Sequence, residues 1–249
     1  MDIPPCSLLA ACVLAAVYAI LGRAGRADGA ERFWAHRRWV SAAAGVSVAY
    51  VFVDVLPELA AQNRALRDAM GGNELRFAEQ RVYLLVLLSF IVMYGLEHMV
   101  LVSREQRRAS TAGGERDAVY WLHLSGYAAY SALIGYLLTE QAERGAASLA
   151  VYTLAMAVHF VIVNHSLGEE HAGAYRGYGH WWLAGSVIAG WVLGALVPIS
   201  EVAFARLFAL LAGGVVITSL SAELPGDRAA RFWPFCMGAV IFAFLLLIA

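Results

Sequence analysis

His159-Phe160-Val161-Ile162-Val163-Asn164-His165-Ser166-Leu167-Gly168-Glu169-Glu170-His171 begins inside an apolar run and ends in a cluster of polar side chains. Three histidines, two glutamates and one asparagine fall within these thirteen residues. The run that leads into them, from about Ser148 to Leu167, is long enough to cross a bilayer as a helix. Lipid tolerates ionisable groups only where they pair or face a cavity, so this density of metal-type ligands asks for a functional reason. The stretch predicts a membrane bundle in which this helix carries chemistry inward.

The composition agrees. The 249 residues are 61% hydrophobic and 15% charged, too apolar for a soluble domain of this size. A net charge of -1 gives no electrostatic case for nucleic acid. All eighteen basic residues are arginine, which with the abundant alanine and glycine points to a GC-rich bacterial genome. Cys6, Cys12 and Cys236 lie in apolar segments and form no CxxC motif, so they read as packing residues. The first apolar segment lacks a basic leader and a clear cleavage site, and is expected to be a retained helix.

Eight spans are predicted in one transmembrane domain, 1–249: helix 1 at about Cys6–Leu21, helix 2 at Trp39–Leu59, helix 3 at Tyr83–Val102 and helix 4 at Ala118–Leu138. Helix 5 covers Ser148–Leu167, helix 6 Trp181–Val197, helix 7 Val202–Leu224 and helix 8 Phe232–Ile248. Five arginines lie between Arg23 and Arg38, and Arg104, Arg107, Arg108 and Arg116 lie in the 103–117 loop. The positive-inside rule makes both loops cytoplasmic, which puts both termini outside. Across all loops this topology places 12 arginines inside and 6 outside. Trp39, Trp121, Trp181, Trp182 and Trp233 fall near span ends, as interfacial aromatics do. Helix 2 ends Asp54-Val55-Leu56-Pro57-Glu58 and helix 7 ends Glu223-Leu224-Pro225-Gly226-Asp227. On this topology the two helices run in opposite directions, and such an echo suits an inverted repeat, a transporter signature; chance recurrence of Leu-Pro is the alternative.

Polar residues inside the spans are the candidate site. His123 begins a polar face of helix 4 with Tyr127, Tyr130 and Ser131, which suits a ligand oriented by hydroxyls or a packed core histidine. His159 lies deep in helix 5. His165 is six residues further, a rotation of about 240°, so the two serve one pathway only if partners surround the helix or it unwinds near Gly168. His165 and Glu169 are four apart and share a face, a spacing that can chelate a metal ion. Asn164, Glu170 and His171 complete the cluster; a solvated helix end is the other reading. Asp54 at the outer end of helix 2, and Glu97, His98 and Glu223 at the inner ends of helices 3 and 7, suit capture and release of a cation, or are simply solvated.

The pattern resembles the ZIP (Zrt/Irt-like) divalent-metal transporter family. Eight helices, both ends outside, a cytoplasmic 3–4 loop and polar helices 4 and 5 all agree. Tyr50-Val51-Phe52-Val53-Asp54-Val55-Leu56-Pro57-Glu58 resembles the family's second helix. Ala212-Gly213-Gly214 through Glu223-Leu224-Pro225 resembles its seventh. His165-Ser166-Leu167-Gly168-Glu169 resembles the second half of the His-Glu-x-Pro-His-Glu-Leu-Gly-Asp motif. The departures are specific. In the helix 4 pattern His-Asn-x-x-(Asp/Glu)-Gly, His123 matches, while Leu124, Tyr127 and Ala128 replace the asparagine, acid and glycine. In helix 5 Val161-Ile162 replace the first His-Glu, Asn164 the proline and Ser166 the second glutamate; a second register puts His159 on the first histidine.

The resemblance implies an all-α bundle in which an inverted repeat, helices 1–3 and 6–8, surrounds helices 4 and 5. It implies an inner-membrane carrier for a divalent transition metal, and a homodimer is consistent with it. In that reading Asp54 helps admit the ion, His123 and His159 with Asn164 hold it near the midplane, and His165, Glu169, Glu223, Glu97 and His98 line the inner exit. A site rich in imidazole and poor in carboxylate favours zinc, iron, nickel or cobalt, with manganese also admitted, over magnesium or calcium. Two other readings stay open: a zinc-dependent membrane hydrolase of ceramidase-like type, and a ZIP relative that senses metal without transport. Haem ligation by paired histidines is a further, lesser one.

Overall fold

The computed structural model describes residues 5–24, 38–61, 76–109, 116–170, 175–223 and 232–248. Eight helices cross these residues. Helix α1 is Pro5–Ala24, and α2 runs from Arg38 through a π-helical turn, Val51–Val55, to Ala61. Helix α3 is Arg76–Ala109, α4 Arg116–Glu143 and α5 Ala146–Glu170. A π-helical turn, Tyr175–Gly179, leads into α6, His180–Leu196; α7 is Glu201–Glu223 and α8 Phe232–Ile248.

The apolar runs form helices because lipid offers backbone N–H and C=O groups no partner, and a helix satisfies them within the segment. Segments of α1, α2, α3, α5 and α7 are long and apolar enough to cross a membrane. At 17 residues, α6 and α8 sit at the lower limit for a span. Helix α4 is long enough, but it carries a polar stripe that faces the interior. Apolar side chains cover the outside: Leu84, Leu88 and Ile91 of α3, Leu193 of α6 and Phe244 of α8 are all more than half exposed. So broad an apolar surface belongs against lipid, and the chain is a helical membrane bundle.

The helices extend beyond the lipid-crossing runs. Helix α3 continues to Ala109 and α4 begins at Arg116, so most of the expected 103–117 loop is helical. Helix α5 stays unbroken to Glu170, and the unwinding considered at Gly168 does not occur.

Three helix pairs make the most extensive contacts: α4 with α6, α2 with α8, and α3 with α7. Glycines seam all three. A Cβ on Gly190 would collide with the Ala132 carbonyl, one on Gly135 with that of Val187, one on Gly238 with that of Ala42, and one on Gly213 with that of Val86. Such close backbone approach is how helices associate where lipid removes the hydrophobic drive between them. Helix α5 lies in the middle, packed on α1, α2, α4 and α7. Ala44 clusters with Ile162 and Tyr50 meets Tyr152 at 6.3 Å, so α2 and α5 run antiparallel. Gly145, at φ 122°, makes the tight turn between α4 and α5.

Candidate functional site

The interior stripe of α4 repeats at helical spacing: Tyr120, His123, Tyr127, Tyr130, Ser131 and Ile134 are all buried. His123 faces α3, where it meets Glu97, the one buried acid among the described residues. The Tyr127 hydroxyl donates to Glu97 Oε1, and His123 Nε2 lies 3.9 Å from the same oxygen. The His123 and Tyr127 rings meet edge to face at 5.1 Å. Two ligand atoms held about 2.0–2.2 Å from one zinc ion sit about 3.4 Å apart at the tetrahedral angle. The Glu97–His123 gap is therefore a small movement away from a bridging geometry.

His98, next in sequence to Glu97, does not join it. It is exposed on the outer face of α3 and stacks on Tyr94 at 5.9 Å. Adjacent helical residues point about 100° apart, so one faces the interior and the other faces out.

His159 is completely buried in the middle of α5. Its Nε2 lies 3.4 Å from Thr218 Oγ1 on α7, and its ring meets Tyr130 at 5.8 Å. Thr218 has one proton to give and donates it to the Gly214 carbonyl at 2.8 Å. The Thr218 oxygen is then the acceptor towards His159, which assigns the imidazole proton to Nε2 and leaves a lone pair on Nδ1. That Nδ1 is buried and has no hydrogen-bond partner among the described residues. Ser47 Oγ on α2 and Ser219 Oγ on α7 are in the same condition. The three atoms come from three helices that all pack on one another. An imidazole nitrogen with a bare lone pair is the form that ligates a transition metal.

Towards the end of α5 the side chains separate by face, as the helical rotation requires. Asn164 Oδ1 accepts a hydrogen bond from Tyr175 at 2.7 Å, which holds it towards the turn that leads into α6. His165 Nε2 and Glu169 Oε1 lie 3.4 Å apart, the separation a tetrahedral metal asks of two ligands. Both are partly exposed. The Glu170 side chain and His171 lie outside the described residues, as does the Leu224–Asp227 part of the echo between helices 2 and 7. Glu223 is the last residue of α7, and its side chain lies outside the described residues.

At the opposite end of α2, Asp54 lies half-buried in the π-helical turn and bonds the buried Tyr50 side chain. Such single-turn π bulges re-aim side chains and recur at functional positions. Glu58, one turn further, pairs with Arg144.

Thr218, Tyr175 and Arg144 carry no signal that sequence reasoning could have used, since each looks like an ordinary helix or turn residue. His180 is also buried, but its role is packing. Its Nδ1 faces the Tyr175 carbonyl at 3.2 Å, and its ring fills the space that a side chain on Gly22 would need. Among the described residues no three of His, Cys, Asp and Glu gather at one point; the candidate ligands come as pairs and as the single His159. No known protein family, curated protein or solved structure matches this chain.

Proposed function

We propose that the chain is a ZIP-like carrier that moves a divalent transition-metal cation across a bacterial inner membrane by alternating access, with both termini outside. The observation that carries this reading is the bare Nδ1 of His159, a neutral imidazole ligand atom buried at the centre of the bundle. Its neighbours form a sequence of stations. Asp54 stands at one end of the path, His159 in its middle, Glu97 with His123 further along, and His165 with Glu169 and Glu223 at the other mouth. Paired ligands suit cargo, because conduction needs sites strong enough to enter and weak enough to leave.

The packing supports the architecture. An exchange of α1–α3 with α6–α8, and of α4 with α5, maps the α3/α7 pair onto α8/α2. The same exchange maps α4/α6 onto α5/α1 and α2/α5 onto α7/α4; each of these contacts is made. The family resemblance divides the helices into α1, α4, α5, α6 and α2, α3, α7, α8, and rocking of one set against the other would expose the path alternately. The partners in this reading are the bilayer and the cation, with pairing of two copies as the family resemblance implies. The imidazole-rich set favours zinc, with iron, nickel, cobalt and manganese as the other candidates.

The test is zinc, iron and manganese flux into liposomes that hold the purified protein, with His159→Ala alongside. Flux that disappears in His159→Ala supports the reading; no flux of any of the three across a pH range sinks it. A second reading, a ZIP relative that binds metal without moving it, is favoured by the presence of only one buried acid among the described residues. Zinc binding without flux would select it.

A further inference from the structure

Arg144 occupies the two-residue turn between α4 and α5, and it reaches across to the other set of helices twice. Its Nη1 donates to Glu58 Oε1 on α2 at 2.6 Å, and its Nη2 donates to Glu201 Oε2 at the start of α7 at 2.9 Å. The guanidinium lies 4.1 Å over the ring of Phe204, which is itself buried. One planar cation thus ties α2 and α7 to the turn of the α1, α4, α5, α6 set. Glu58 lies one turn along α2 from Asp54 and within its electrostatic range, so the tie sits over the acid that begins the proposed path. Val55 and Leu59, flanking Glu58 on α2, are fully buried, and the buried Phe208 stacks on Phe204 at 5.1 Å.

We propose that Arg144 is the gate of this face: its fork to Glu58 and Glu201 holds the two helix sets together, and the face opens only when both ion pairs break. This rests on the carrier reading. The geometry suits a gate better than a permanent strut. Arg144 keeps 27% of its side chain exposed, Glu58 39% and Glu201 81%, so water solvates all three charges once they part. Partly exposed ion pairs are weak, and a gate must open at little cost. Once released, Glu58 and Glu201 present two carboxylates beside Asp54 to an arriving cation. The same carboxylates therefore hold either the arginine or the cargo, and arrival of cargo favours the open state.

The test uses the full chain in liposomes with Cys6→Ala, Cys12→Ala and Cys236→Ala, and Val55→Cys as reporter. A membrane-impermeant maleimide should label this parent slowly and the Arg144→Gln variant about tenfold faster, the product of two weak ion pairs and a cation–π contact. Glu58→Gln with Glu201→Gln should match that rate, and adding Arg144→Gln should raise it no further. Arg144→Lys should label more slowly than Arg144→Gln. Equal rates in parent and Arg144→Gln, or a lysine variant as fast as the glutamine one, overturn the gate. If Arg144→Gln loses its monodisperse elution, Glu201→Gln alone decides: this exposed residue should give a rise of about threefold, and no rise overturns the proposal. Zinc flux measured in the same liposomes separates the two ideas. Faster labelling without flux keeps the gate and removes transport; flux with unchanged labelling does the reverse.

Discussion

Tyr127→Phe should destabilise the metal-free protein and tighten its hold on zinc. The hydroxyl donates to Glu97 Oε1, the same oxygen that lies 3.9 Å from His123 Nε2. A hydrogen bond to a charged group contributes about 1.5–3 kcal/mol when buried. Glu97 is only 7% exposed and Tyr127 1%, so solvent does not discount that figure. Removing the hydroxyl costs the apo protein about this much and lowers its melting temperature by several degrees. A metal ion bridging Glu97 and His123 has to displace the same hydroxyl, or compete with it. Without that competition zinc should bind roughly tenfold tighter, the lower end of the range converted to an equilibrium constant. Thermal unfolding in detergent with and without zinc, and equilibrium dialysis of the metal, read the two effects separately. Equal or weaker zinc binding in Tyr127→Phe would refute the bridging geometry, and so would zinc binding that ignores Glu97→Gln.

Gly190→Ala should destabilise by about 1–3 kcal/mol, because its Cβ meets the Ala132 carbonyl and must push α4 and α6 apart. Gly185→Ala on the same helix has nothing within 4 Å and should gain about 0.5–1 kcal/mol from helix propensity, so equal melting temperatures for the two would contradict the glycine seam. His98→Ala should leave zinc affinity within twofold of the parent, since the ring faces out and stacks on Tyr94; a larger loss in dialysis would bring His98 back to the site.

The number and place of the helices were legible because apolar runs report where a chain meets lipid. Phe232–Ile248 was read to the residue. Helix α3 was read short at both ends, at Tyr83 and Val102 rather than Arg76 and Ala109, because hydropathy marks the lipid crossing while the helix continues into water. The depth of His159 was legible from the apolar residues on both sides of it. Its tautomer was not, because that depends on Thr218, which reaches it from another helix 59 residues along the chain. Glu97 and His123 were each legible as unusual residues in a span, but their meeting depends on how α3 packs on α4. Reading Glu97 and His98 as one feature failed for a plain geometric reason: a helix turns neighbours to different sides. Arg144 was invisible for the opposite reason. Arginine in a short turn is unremarkable until the ends of α2 and α7 are known to lie beside it.

The interior charge bears on what kind of cargo the path could carry. Among the described residues it holds one buried acid, Glu97, against three buried histidines, His123, His159 and His180. A divalent ion at Glu97 and His123 would keep one net positive charge in a poorly polarisable surround, and at His159 it would keep two. A resident metal site normally cancels most of that charge with its ligands, since an uncompensated buried charge is costly. Imidazole offsets the cost through coordination bonds, which are strong for zinc and its neighbours and weak for magnesium and calcium. On the proposed carrier reading, a single buried acid among the described residues would narrow the metals this interior accepts and would keep any of them from staying long. Acids stand where water can help carry the charge: Asp54, Glu58 and Glu201 at one mouth, Glu169 at the other. Carboxylates at both mouths and a mostly imidazole interior between them would favour capture at the ends and brief residence inside, the energy profile that the proposed carrier needs and a storage site does not.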